Sequence, residues 1–163
     1  MVVSDLLILY CPGSRGDFLA AVLTDTIDQC YQQLTLSPDL RYNKMHGIDE
    51  GNNPWDESLN VSSILQHQNR SIRIKLAPSD YKFVAHLVET KRLPSVLDQN
   101  DVHDWEQNYC RYDIIFGHVV SFSDLFDIEF LKDFYQRFNN RPIPEQHVPM
   151  IEHNIALQVS CKP

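Results

Sequence analysis

Glycine is scarce in this chain, with five in 163 residues, so two glycines falling close together mark a place where the backbone geometry demands them. No apolar run approaches the roughly 20 residues that a membrane-spanning helix needs. The strongest one near the N-terminus, Leu6 to Cys11, also lacks the basic flank and cleavage signal of a secretory leader. Positive charge is in deficit: 14 basic residues face 22 acidic ones, for a net charge of -8. The surface as a whole therefore repels nucleic acid and anionic membrane, and neither is an expected partner. Cys11, Cys30, Cys110 and Cys161 form no C-x-x-C pair, and the seven histidines follow no ligand spacing. That pattern argues against a zinc site and a disulfide framework; the expectation is a cytoplasmic protein with reduced thiols and no metal. Also missing is the G-x-x-x-x-G-K-[ST] pattern, with its phosphate-binding lysine and magnesium-holding hydroxyl, which argues against ATP or GTP hydrolysis.

What is present reads as one globular domain over residues 1–163, with 43% apolar and 22% charged residues. Asp5 to Cys11 is a continuous apolar run closed by Pro12-Gly13, the pattern of a strand buried on both faces of a parallel sheet. Leu19, Leu23, Ile27, Cys30 and Leu34 then recur at helical spacing, with Asp17 placed as N-cap, predicting a helix that ends before Pro38. Residues 39–70 read as a long irregular segment with a weak helix over Ser58 to His67. A second strand is predicted at Ser71 to Leu76, partly exposed on one face, and a third at Tyr112 to Phe116. Between them a helix opens at Pro78-Ser79-Asp80, presents Val84, Leu87, Val88 and Lys91 on one face, and closes at Pro94. Gln99 to Gln107 reads as a loop or frayed helix. Ser123 and Asp124 are expected to cap a helix carrying Phe126, Phe130, Phe134 and Phe138, a ladder suited to core or to a homodimer interface. A last helix is predicted from Pro144 to about Val159. Strands alternating with helices make this an α/β fold, three-layer α/β/α, around a small, mainly parallel sheet, with room for a fourth strand in residues 40–70 or 95–110.

The candidate site is the turn from the first strand into the first helix, Pro12-Gly-Ser-Arg-Gly-Asp-Phe18. A tetrahedral anion needs convergent N–H donors and the positive end of a helix dipole, and such a loop supplies both. Gly13 and Gly16 permit close backbone approach, Ser14 adds a hydroxyl donor, and Arg15 adds a forked cation suited to phosphate or sulfate. Asp17 and Phe18 complete the loop's entry into the helix, although the Asp17 carboxylate competes with an anion for the same N–H groups. The alternative is that the segment only turns the chain.

The stretch Leu7-Ile-Leu-Tyr-Cys-Pro-Gly-Ser-Arg-Gly-Asp-Phe-Leu19 resembles the opening of the sulfotransferase family. Val120-Ser-Phe-Ser-Asp-Leu-Phe-Asp-Ile-Glu-Phe-Leu131 resembles a C-terminal helix of its small, divergent marine bacterial and phage members. The resemblance implies a P-loop NTPase-like fold, the phosphosulfate nucleotide PAPS as cofactor held by residues 13 to 18, and a small-molecule acceptor. Family members usually carry Lys where Gly13 stands, leaving Arg15 to substitute. The family's second signature, at the 3′-phosphate, finds its nearest counterparts in Arg73, Lys75 and Ser79.

Transfer to a hydroxyl also needs a base, and His46 in the long loop and His118 past the third strand are the candidates, each weighed against a structural role. Asp80, Asp124 and Asp127 read as helix caps. Trp55 and Trp105 are placed in polar loops, where an indole stacks on a ligand ring or pins the loop. Two functions stand side by side: a sulfotransferase-like enzyme, in which Arg15 stabilises the leaving group and His46 or His118 takes the acceptor proton, and a non-catalytic α/β interaction module of the same descent.

Overall fold

Leu7–Leu9 forms β1, and all three of its residues are buried. The computed structural model describes residues 6–34, 36, 42–48, 60–90 and 98–162. β1 pairs in parallel with β2, Asn43–Met45, on one side and with β3, Ser71–Lys75, on the other. β3 in turn pairs in parallel with β4, His118–Ser121, giving a four-stranded parallel sheet in the order β2-β1-β3-β4. The chain thus leaves β1 toward one edge and returns across it to build the other. In an open sheet of this kind ligands bind outside the carboxyl ends of the strands.

Alternation along the strands sorts the core into two halves. Ile8, Ile72, Ile74 and Val120 face one side, where they meet α1 (Gly16–Leu23), α3 (Tyr81–Thr90), α5 (Ile128–Asn139) and α6 (Val148–Val159). Leu7 and Leu9 face the other, with Met45, Phe116 and Ile64 of α2, Val61–His67. α4, Gln99–Tyr109, places Trp105 against both halves. The layers are therefore helices, parallel sheet and helices, as the alternating pattern predicts.

Several boundaries differ from the sequence reading. α1 ends at Leu23 because Asp25 takes a left-handed backbone (φ 60), a conformation Asp tolerates, and the chain continues as a 3-10 turn at Ile27–Gln29. β3 has four buried residues of five, since it lies between two strands with helices on both faces. Residues Cys110–Ile115 form a 3-10 segment with Ile114 91% exposed, and the strand predicted there lies after Gly117. Gly117 sits against the Gln68–Asn69 backbone with no room for a side chain, and its amide donates to the Ser71 hydroxyl at 2.9 Å. Gln99 to Tyr109 is a regular helix, started by a reciprocal cap between Asp98 and Asp101. Residues Pro78–Asp80 form a 3-10 turn leading into α3, in which Val84 and Leu87 are buried. The Val88 side chain, Trp55, Lys91, Pro94 and residues 39–41 and 49–59 of the long segment lie outside the described residues. The cap of α5 is Asp127, with Ser123 and Asp124 in a preceding 3-10 turn. The Phe134 and Phe138 rings stack 5.8 Å apart and are buried in the core. Residues Glu145–His147 form a 3-10 turn, and α6 starts at Val148 with Pro149 in its first turn. Among the described residues no helix is long and apolar enough to cross a membrane.

Candidate functional site

The chain leaves β1 through Tyr10 and Cys11, turns at Pro12-Gly13, and enters α1 at Gly16. Gly13 has φ 89 and Arg15 φ 72, so the turn uses the left-handed region twice. Glycine adopts it freely; for arginine it is a strained state that the surroundings must enforce. Gly16 is required for another reason: a methyl group there would overlap the ring of buried Tyr10. The amides of Gly16, Asp17 and Phe18 belong to the first helical turn and have no intrahelical acceptor.

A cavity of about 100 Å³ lies against this turn, bordered by Tyr10, Gly13, Arg15 to Phe18, Lys44 and His46. Parallel pairing puts Lys44 level with Ile8 and carries the chain past Met45 to His46 beside the end of β1. His46 Nδ1 lies 3.0 Å from the Tyr10 carbonyl, an acceptor only, so Nδ1 carries the proton and Nε2 keeps its lone pair. The Trp105 indole donates to the His46 carbonyl at 2.8 Å, pinning this loop from α4. Burial and, secondarily, the Lys44 ammonium hold the His46 imidazole below its ordinary pKa.

The loop residues divide into those that face the cavity and those spent internally. Ser14 donates both its amide (2.9 Å) and its hydroxyl (2.6 Å) to the Cys11 carbonyl and is fully buried. It is therefore a turn-former and not the hydroxyl donor that the sequence suggests. Asp17 is not the cap of α1, a position taken by Arg15. Among the described residues its carboxylate accepts from Tyr42 (2.5 Å), Tyr10 (3.3 Å) and Lys44 (3.1 Å), so it does not fill the loop amides. Burial, with the Asp17 charge beside it, pushes the Tyr10 phenol well above its ordinary pKa.

Arg15 is 3% exposed and turned inward. Its guanidinium lies 3.8 Å above the Phe18 ring and 5.5 Å from that of Phe126, and donates to Asn154 Oδ1 of α6 at 2.8 Å. Burial alone pushes its pKa down to about 9. Asn154 is a residue the sequence reading missed; it sits mid-helix with no neighbouring motif, and only the return of α6 to the loop reveals it.

The remaining candidates do not join the cavity. Arg73, fully buried, pairs with Glu106 of α4 at 2.7 Å and, through Nε, with Asp113 at 3.0 Å; Lys75 takes the other Asp113 oxygen at 2.9 Å. These charges are ion-paired with one another and tie α4 to the sheet, and neither Arg73 nor Lys75 borders the cavity. Ser79 is exposed in the turn before α3. His118 opens β4, level with Ile72, and its Nε2 lies 2.8 Å from the Asn69 carbonyl before β3. Its ring packs on Phe134 and Phe138. That places it toward the opposite end of the strands from the loop, because the strand predicted before it lies after Gly117. Among the described residues no group of three or more His, Cys, Asp or Glu could hold a metal ion.

Comparison with protein-family models, curated proteins and solved structures found no match to this chain.

Proposed function

We propose that the chain binds the phosphate or sulfate end of a small ligand in the cavity after β1 and works as a sulfotransferase-like protein on a phosphosulfate nucleotide such as PAPS. One observation carries the reading: Gly16 to Phe18 of the first turn of α1, Arg15, Lys44 and His46, whose Nε2 keeps its lone pair, border the same cavity. Its volume of about 100 Å³ leaves room for a small polar group. In the reaction the acceptor hydroxyl oxygen bonds to sulfur as the bridging S–O bond breaks, the electron pair leaving with adenosine 3′,5′-bisphosphate. The acceptor proton passes to His46 Nε2, and Lys44, 43% exposed and paired with Asp17 at 3.1 Å, exchanges that partner for the leaving charge.

The inward turn of Arg15 favours a second reading, binding without transfer, since a guanidinium held by Asn154 and Phe18 does not follow a leaving oxygen. Calorimetry with adenosine 3′,5′-bisphosphate tests the binding that both readings of the cavity share: saturable heat is expected, weakened about tenfold or more in Lys44→Ala, and no heat overturns the nucleotide reading. Incubation with PAPS and a phenol or alcohol panel separates the two: sulfated product that His46→Gln abolishes supports transfer, and binding without product supports the module.

A further inference from the structure

Two arginines are buried among the described residues, and their surroundings differ. Arg73 sits between two carboxylates, Glu106 and Asp113, as a desolvated cation ordinarily must. Arg15 meets no carboxylate among the described residues; its one hydrogen-bond partner is the neutral amide of Asn154, and its Nε and NH2 are buried without a partner. An unpaired buried cation costs several kcal/mol, yet here it is enforced by a strained backbone at φ 72 and by packing on Phe18. Asn154 is itself fully buried: its amide nitrogen donates to the carbonyls of Tyr31 (2.7 Å) and Gln33 (3.1 Å), which leaves Oδ1 aimed at Arg15.

We propose that Asn154 is a positioning residue of the loop site: it holds the buried Arg15 guanidinium behind the loop cavity, which Arg15 helps to line, through a neutral contact, so that the compensating negative charge comes from an oxyanion bound there. This rests on the oxyanion reading above and adds that the last helix sets the charge of the site. A carboxylate at 154 would supply the missing charge internally, and anion affinity would be lost although Arg15 stays in place. An aliphatic residue would untether Arg15.

The test uses inorganic sulfate, with chloride at equal ionic strength as control. In the wild type, sulfate is expected to raise the melting temperature and to shift the Arg15 Nε–H resonance while that of Arg73 stays. In Asn154→Asp the sulfate affinity is expected to fall at least tenfold, and Asn154→Leu to weaken it as well. A structural role alone lowers the melting temperature of both variants but leaves the sulfate-induced rise unchanged, which overturns the proposal. Should both variants fail to fold, an Arg15 resonance in the wild type that sulfate does not move overturns it equally. A wild type indifferent to sulfate in melts and spectrum removes the oxyanion reading and this inference together. A responding wild type with an equally responsive Asn154→Asp removes only the role of Asn154.

Discussion

At the scale of single residues, the loop after β1 is held by steric and hydrogen-bond demands that can be tested one at a time. Gly16 lies under the buried Tyr10 ring, so Gly16→Ala forces an overpacked contact. The expected loss is about 1–3 kcal/mol, read by urea denaturation, together with loss of the sulfate response. His46 is held below its ordinary pKa by burial first, with Lys44 adding to it. The folded state therefore binds this proton less tightly than the unfolded one. His46 contributes no pH dependence well above pH 6.5; as the pH falls through about 6.5 toward the lower folded value the unfolded chain takes up the proton first and stability declines. An NMR titration is expected to show the His46 ring titrating below its ordinary value, and a normal or raised midpoint would contradict this. Gly13, Gly16 and His46 could be singled out from residue type alone, because backbone freedom and imidazole chemistry are local properties. The inward turn of Arg15 and the spent Ser14 hydroxyl could not, since both depend on what lies behind the loop.

At the scale of elements, helix ends are where local chemistry and tertiary contact compete. The Asp127 carboxylate accepts from the amides of Glu129 (3.0 Å) and Phe130 (3.4 Å), as an N-cap should. Asp127→Ala is expected to cost about 1 kcal/mol, with fraying of the first turn of α5 visible in hydrogen exchange. Asp80, bonded back to the Ala77 amide, was equally readable as a cap. The end of α1 was not. Helical spacing continues through Ile27 and Cys30, but Asp25 is drawn out of line by Tyr135 (2.6 Å) and Arg141 (2.5 Å), both supplied by distant chain. β2 was bracketed only as a fourth strand in residues 40–70 or 95–110, for a related reason: Asn43-Lys44-Met45 carries little strand propensity, and its three residues are a strand because β1 offers them an edge.

At the scale of the whole molecule, two long-range ties set the site. One joins α4 to the sheet through Arg73, Glu106 and Asp113; the other joins α6 to the loop and to the segment after α1 through Asn154 and Gln158, the latter donating to the Leu34 carbonyl at 2.8 Å. Arg73→Met leaves the buried Glu106 carboxylate without its cation, while Asp113 keeps Lys75, and is expected to destabilise by about 3–5 kcal/mol. In protein that remains folded, the sulfate response is expected to persist, because Arg73 does not border the cavity. A loss of that response without unfolding would place Arg73 in the site after all. Taken alone, the order of residues determined the α/β class, the buried parallel strand and the glycine-containing loop proposed as the site, because apolar periodicity and turn chemistry act over a few neighbouring positions. Which charges face the cavity was decided only by the tertiary structure. Neutralisation of Arg73, exposure of Lys44, confinement of Arg15 and the distance of His118 each depend on groups tens of residues away, and a buried charge takes its state from whichever partner the fold brings to it.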